Sequence, residues 1–294
     1  VLLATVTSLP ELITSISSVT LHSLPDMAVG GLLGSCMFNM MVIAFLDLFS
    51  RKAPVSNLVH QGHMIAAGFG IVLTGFVAID ILFSKYLPVL EILNRIDIMS
   101  LTYVPIYLIA MKLIYAYEKR SVTQYVEQSD VEDGDKNESL ARSSIMFAVY
   151  SIVIVAAACW LPAIGDEIGK LTGWGESFIG SSFIAIATSL PEITVSFSAA
   201  RRGSFDMAVA NLLGSNLFNL AILAITDFCY LKGPLLRDVS VGNTLAALTA
   251  MISMAIVIIG LTYRAEKKVM FLAGDAVGVM LVYVLANFLL FKLH

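Results

Sequence analysis

The stretch "TSLPELITSISSVTLHSLPDMAVGGLLGSCMFN" (residues 7–39) returns as "TSLPEITVSFSAARRGSFDMAVANLLGSNLFN" at residues 188–219. Carried on to Asp47 and Asp227, with one gap at Leu24, twenty of forty aligned positions are identical. The shared core is T-S-L-P-E followed by D-M-A-V-x-x-L-L-G-S-x-x-F-N. Chance matching of apolar helices reproduces Leu and Val, not Pro, Glu, Gly, Ser and Asn in register. The chain therefore contains an internal duplication.

Composition sets the medium in which the two copies sit. The 294 residues are 58% hydrophobic and only 14% charged, against roughly a quarter charged in soluble domains. The mean hydropathy is +0.85. Runs such as "MIAAGFGIVLTGFVAIDILF" and "LAALTAMISMAIVIIGL" approach the ~20 residues that cross a bilayer as a helix. The expected class is an all-α polytopic membrane protein, with a lipid bilayer as its surroundings and no nucleic acid partner. The three cysteines, Cys36, Cys159 and Cys229, lie in apolar surroundings and suggest neither disulfides nor a zinc site. Nothing resembles a cleavable signal peptide.

Nine helical segments are expected, at about 1–22, 25–49, 59–83, 98–117, 143–163, 176–201, 205–230, 239–263 and 270–291. The long polar stretch 118–142, "EKRSVTQYVEQSDVEDGDKNESLAR", reads as an acidic, solvated linker. It divides a first half (1–117) from a second (143–294). Eleven loop Lys and Arg, among them Arg51, Lys52, Lys136 and Lys267, fall on the linker's side; six, including Lys85 and Arg95, fall on the other. That bias predicts a cytoplasmic linker and an external C-terminus.

Five helical steps separate Glu11 from Glu192. Five is odd, so the copies are expected to cross the membrane in opposite directions, as in secondary transporters whose substrate site lies near midplane between inverted repeats. The second copy is preceded by a full helix and a half-helix, the first only by "VLLATV". A five-plus-five parent is expected, with about 40 residues (the first helix and half of the second) preceding this sequence.

The repeated residues carry specific chemistry. A proline inside a helix has no N–H for its i−4 bond and displaces that carbonyl. Pro10 therefore loosens carbonyls near Val6 and Thr7, and Pro191 those near Ala187 and Thr188. Such carbonyls are tolerated at membrane depth where they line a cavity or bind something. One residue on stands Glu11 or Glu192, an expensive acid in hydrocarbon. Thr7, Ser8 and Glu11 share a helix face by spacing, and Ser35 with Asn39 and Ser215 with Asn219 are i, i+4 pairs. Gly34 and Gly214 permit close helix approach. These are hard oxygen ligands, suited to Na⁺ or Ca²⁺, and Ca²⁺ takes ~6–8 oxygens. Protons could neutralise the carboxylates between loads.

These motifs resemble the α-repeats of the sodium/calcium exchanger family, within the Ca²⁺:cation antiporter superfamily, in a compact bacterial-type form. The resemblance implies a ten-helix antiporter of a cell or inner membrane, without a cofactor, exchanging Ca²⁺ for Na⁺ by alternating access. The 143–163 helix would be one of two sliding gates. By matching position, Glu11 and Glu192 would bind Ca²⁺ with the carbonyls of Thr7 and Thr188. Ser8, Ser35, Asn39, Ser189, Ser215 and Asn219 would help form flanking Na⁺ sites. The family's N-x-x-G-S-N stands intact at Asn211, Gly214, Ser215 and Asn216, but reads Gly31, Gly34, Ser35 and Cys36 in the first copy. Well-studied members also often carry Asp where this chain has Asn219. Both departures remove oxygen or charge, so coupling to H⁺ or K⁺ stands as the alternative, although the G-N-x-x-E motif of proton/calcium exchangers is absent.

Other residues invite plainer readings. Asp26 and Asp206 open helices, where an acid suits the dipole, with a cation entrance as the alternative. Asp47 and Asp227 close the same helices, where the dipole disfavours them. His60 and His63 read as polar anchors at a span's edge, and Trp160 and Trp174 as interfacial belt residues. A membrane-embedded metalloprotease lacks its H-E-x-x-H or any nucleophile–base motif. Broken inverted helices fit a carrier better than a continuous channel. No enzymatic activity is expected.

Overall fold

A computed structural model describes residues 2–50, 53–83, 91–92, 96–126, 140–265, 268 and 272–293. The first motif stretch is broken. Helix α1 (Leu2–Thr7) stops at Ser8, and α2 (Leu9–Ser17) resumes with Pro10 in its first turn. A wide π turn, Ser18–His22, and the left-handed Ser23 (φ 57°) end that element. There follow α3 (Pro25–Phe49), the short α4 (Val55–Leu58), α5 (His63–Phe83) and α6 (Ile98–Val126). A two-residue antiparallel ladder pairs Glu91 with Asp97 and Ile92 with Ile96 just before α6.

The second half repeats the plan. Helices α7 (Leu140–Ala158) and α8 (Leu161–Thr172) precede α9 (Glu176–Ile179), a π turn at Gly180–Ile184, α10 (Ala185–Thr188) and α11 (Leu190–Arg201). Then come α12 (Phe205–Cys229), α13 (Gly242–Tyr263) and α14 (Gly274–Lys292). Among the described residues seven helices are long and apolar enough to span a membrane, and Glu176–Thr188 with Leu190–Arg201, bent by 47° at Ser189, form an eighth. The fold is all-α and polytopic. With α7 and α8 as one crossing, five steps still separate the Glu11 element from the Glu192 element.

Two boundaries differ from expectation. The segment after residue 163 is helical to Thr172 and not a loop: Pro162 sits in the first turn of α8, and left-handed Gly173 (φ 75°) stops it. The expected linker 118–142 is helical at its ends, since α6 reaches Val126 and α7 begins at Leu140. Its acidic middle, 127–139, lies outside the described residues, as do Arg51, Lys52, Lys85, Arg95, Lys136 and Lys267.

Burial shows which helices make the centre. Within their apolar windows, 83% of α3 and 72% of α12 is buried, against 22% for α6, 17% for residues 152–172 and 22% for α14. The outer helices present Leu108, Ile109, Ile152, Val153, Leu281 and Val284 outward, as lipid-facing surfaces do. Helix α3 meets the π turn of the other repeat at backbone contact. A Cβ on Gly34 would collide with the Ser181 backbone, and one on Gly180 would stand 2.7 Å from the Met27 carbonyl. Gly34 thus sets the helix spacing, as small residues do in membranes.

The aspartates explain how the halves interlock. Asp26 Oδ1 accepts from the Ser240 N–H (2.7 Å), the Asn243 amide (2.7 Å) and Ser177 Oγ (3.1 Å). Asp206 Oδ1 does the same in the other direction, accepting from the His60 N–H (2.7 Å) and meeting His63 Nε2 at 2.9 Å. His60 and His63 align with Ser240 and Asn243, so each repeat caps the other's helix start. This replaces the plain-anchor reading of His63.

Asp47 and Asp227 likewise share one task. Each accepts, through Oδ1, the N–H eight residues on: Val55 at 2.8 Å and Leu235 at 2.6 Å. Asp47 also accepts the Ala273 N–H (2.7 Å) and pairs with Lys268 (3.1 Å). Trp160 is 73% exposed, in keeping with a belt position, whereas Trp174 packs into a cluster with Phe178, Phe183 and Phe291.

Candidate cation site

The two prolines place two serines at matching breaks. Ser8 has φ −88°, ψ 13° and Ser189 has φ −82°, ψ 7°. At each break the serine N–H reaches the carbonyl four residues back, Ala4 (3.1 Å) or Ala185 (3.0 Å). Its own carbonyl accepts from Leu12 (3.2 Å) or Ile193 (3.1 Å). Pro10 and Pro191 offer no N–H to Val6 and Ala187, so each helix turns at its serine, and the following glutamate projects inward.

Both glutamates are buried, Glu11 at 3% and Glu192 at 0% exposure, and their partners are crossed between repeats. Ser8 Oγ donates to Glu192 Oε1 at 2.9 Å, and Ser189 Oγ donates to Glu11 Oε1 at 3.1 Å. The helices of the G-S motifs add the second donors: Ser35 Oγ to Glu11 Oε1 (3.4 Å) and Ser215 Oγ to Glu192 Oε1 (3.3 Å). Thr7 Oγ1 lies 3.5 Å from Ser215 Oγ, and Thr188 Oγ1 lies 3.4 Å from Ser35 Oγ. Eight of the ten sequence-selected residues thus form one cluster: Thr7, Ser8, Glu11, Ser35, Thr188, Ser189, Glu192 and Ser215. The spacing argument had joined Ser8 to Glu11 along one helix; the hydrogen bonds join Ser8 to Glu192 instead.

The two asparagines stand apart from the carboxylate bonds. Asn39 Nδ2 donates to Asn216 Oδ1 (2.9 Å), and Asn216 Nδ2 donates to the Cys36 carbonyl (3.1 Å). Asn219 is fully buried, and both of its side-chain polar atoms lack a partner among the described residues. Asn216 and the carbonyls of Ala4 and Ala185, which Ser215 and Ser35 approach at 3.5 and 3.4 Å, were not among the selected residues. For Asn216 the signal was in hand, since it completes G-S-N.

Glu11 Oε2 and Glu192 Oε2 receive no hydrogen bond from any described residue. A buried, ionised carboxylate without a partner costs several kcal/mol. Among the described residues no group of three or more His, Cys, Asp and Glu gathers, so the cluster offers two carboxylates, hydroxyls, amides and carbonyls. That donor set fits hard cations of the Na⁺ and Ca²⁺ kind.

The chain is thus an all-α polytopic membrane protein whose duplicated halves share one buried acidic centre. It belongs to the sodium/calcium exchanger protein family, which matches residues 1–116 and 142–293. It is 26% identical over 218 residues to the inner membrane protein YrbG of Escherichia coli K12, covering 74% of this chain and 64% of that protein. The match to the uncharacterised membrane protein MJ0091 of Methanocaldococcus jannaschii, at 24% identity, covers 73% and 64%. The chain thus spans less than two thirds of these relatives' length. The sodium/calcium exchanger MaX1 of Methanosarcina acetivorans is 34% identical over 88 residues, 28% of this chain and 25% of that protein. Solved structures share the fold: the sodium-calcium exchanger NCX_Mj, soaked with Na⁺ and Sr²⁺, superposes with a TM-score of 0.62 at 18% identity, covering 97% of this chain and 83% of that one. Native YfkE gives 0.64 at 19%, covering 99% and 83%.

Proposed function

We propose that this chain is the core of a secondary-active antiporter that exchanges Ca²⁺ for Na⁺ across a cell or inner membrane. The crossed pairs Ser8–Glu192 and Ser189–Glu11 carry this reading, because each carboxylate is oriented by the opposite repeat. An ion held by both acids touches both halves, so its arrival and departure couple to their relative movement. The ligands are Glu11 and Glu192 with Thr7, Thr188, Ser8, Ser189, Ser35 and Ser215; Asn39 and Asn219 extend the set toward flanking Na⁺ positions near the midplane. Two negative charges balance one Ca²⁺ or two Na⁺, which is the basis of competition. The gate is α7, whose end is tied to α2. Pro162 leaves the Ala158 carbonyl without its helical donor, and Thr14 Oγ1 takes it at 3.2 Å, while Ser17 Oγ bonds the Cys159 carbonyl at 3.1 Å.

A second reading, coupling to H⁺ or K⁺, is favoured by Asn219, a buried neutral residue where an acid would raise the site's charge. Flux of Ca²⁺ into liposomes containing the full-length protein, with Na⁺, K⁺ and H⁺ gradients imposed separately, distinguishes the two. A response to Na⁺ alone supports the first reading, and a response to H⁺ or K⁺ the second. Ca²⁺ movement indifferent to every gradient rejects exchange.

A further inference from the structure

The two halves of the acidic centre are unequally filled. In α12, Asn211 Nδ2 donates to Ser196 Oγ at 3.4 Å and fills the space beside α11. The matching residue of α3 is Gly31. Beside it lies a small cleft of about 10 Å³, lined among others by Glu11, Thr14, Ser15, Gly31, Ile184 and Thr188. Ser15, the counterpart of Ser196, makes other bonds: it donates to the Leu12 carbonyl and accepts from Thr226 Oγ1, both at 3.0 Å. Glu11 lines the cleft, is 3% exposed, and has an Oε2 with no donor among the described residues.

We propose that the Gly31 cleft is a hydration subsite, seating a water that remains bound to the cation held by Glu11. The proposal rests on the reading of Glu11 and Glu192 as a cation site. Its ligand class is therefore a partly hydrated hard cation, with a water on the Glu11 side. A bound water needs about 10–15 Å³ and two to four polar partners, so this cleft seats one water and no more. The Glu11 carboxylate, the cation and the hydroxyls of Thr14, Ser15 and Thr188 are the candidates lining or facing this one. Ca²⁺ takes about 6–8 oxygens and readily includes waters among them. A water-bridged bond is nearly as favourable as a direct one.

The test is calorimetric titration of Ca²⁺ into the intact chain in detergent, with Gly31→Ala, Gly31→Ser and unchanged protein side by side. A Cβ at Gly31 would meet Ile184 Cγ2 at 3.5 Å and the Gly180 carbonyl at 3.9 Å, which are ordinary contacts. Alanine also suits a helix better than glycine, so neither variant should lower the melting temperature. Alanine displaces the water with a methyl and is expected to weaken Ca²⁺ binding about tenfold, roughly the value of one charge-assisted bond. Serine returns an oxygen to the cleft and is expected to stay within about threefold of the unchanged protein. Unchanged affinity in Gly31→Ala overturns the proposal and makes the cleft a dry packing gap. Equal losses in both variants overturn it too, by assigning the effect to bulk. If the unchanged protein binds no Ca²⁺, the cation-site reading falls, and the hydration subsite with it.

Discussion

Replacing Glu11 by glutamine removes one of the two charges while keeping shape and one carbonyl oxygen. In the ion-bound protein this leaves a buried cation short of a counter-charge, which costs about 3–5 kcal/mol when a buried pair is broken from one side. At about 1.4 kcal/mol per decade, Ca²⁺ affinity should fall by roughly two to four decades. Without Ca²⁺ the sign reverses. Glu11 Oε2 has no donor among the described residues, so neutralising the acid relieves an uncompensated buried charge. The ion-free variant should therefore melt at or above the temperature of the unchanged protein. With Ca²⁺ at a hundred times its dissociation constant, binding stabilises the unchanged protein by about 2.7 kcal/mol, and the variant by at most about 0.4. Thermal unfolding in detergent, with and without Ca²⁺, reads both effects. Glu192→Gln should behave alike, since Ser8 and Ser215 serve Glu192 as Ser189 and Ser35 serve Glu11. A Glu11→Gln protein that keeps the full Ca²⁺-dependent rise in melting temperature would refute the placement of Glu11 in the site.

Three further outcomes are expected. A double-mutant cycle on stability between Ser8→Ala and Glu192→Gln should show a coupling of about 0.5–3 kcal/mol, and Ser8→Ala with Glu11→Gln a smaller one; the reverse ranking would mean that the hydroxyl serves its own helix. Gly34→Ala should destabilise by at least about 1–3 kcal/mol, because its methyl lands on the Ser181 backbone, and a normal melting temperature would show that α3 and the π turn are not in backbone contact. Asp26→Ala should cost more than Asp206→Ala: Asp26 is partly buried with three donors, and the Asp206 side chain is 57% exposed, so water replaces it. Denaturation midpoints that rank the two aspartates the other way would count against the cross-repeat caps.

Much of this protein was legible in its sequence because membrane helices restrict what polar residues can do. The proline and glutamate of T-S-L-P-E have few roles in hydrocarbon, and their repetition in register at Glu11 and Glu192 pointed to one shared centre. Gly34 was legible for the same reason, since a small residue within G-S marks a close crossing. What escaped depended on which repeat a side chain faces. Ser8 lies three residues from Glu11, and spacing alone joined them, but the turn at Ser8 directs its hydroxyl to Glu192. Asp26 and Asp206 suited their own helix dipoles so well that their bonds to Ser240, Asn243, His60 and His63 were invisible from local pattern. Asp47 and Asp227 had no local role; their partners lie eight residues on, each just after a proline, a D-x₆-P pattern beyond the aligned stretch. The expected helix 143–163 ran through Pro162 and stopped short of Thr172, whereas the proline in fact occupies the first turn of a new helix, α8.

The central claim is that Glu11 and Glu192, oriented by opposite repeats, hold a single cation between them. A crystal structure of the full-length protein with Ca²⁺, located by its anomalous scattering, tests this directly. The predicted result is one peak bounded by carboxylate oxygens of both Glu11 and Glu192 at about 2.3–2.6 Å. A Ca²⁺ peak that touches only one of the two glutamates, or neither, would contradict it.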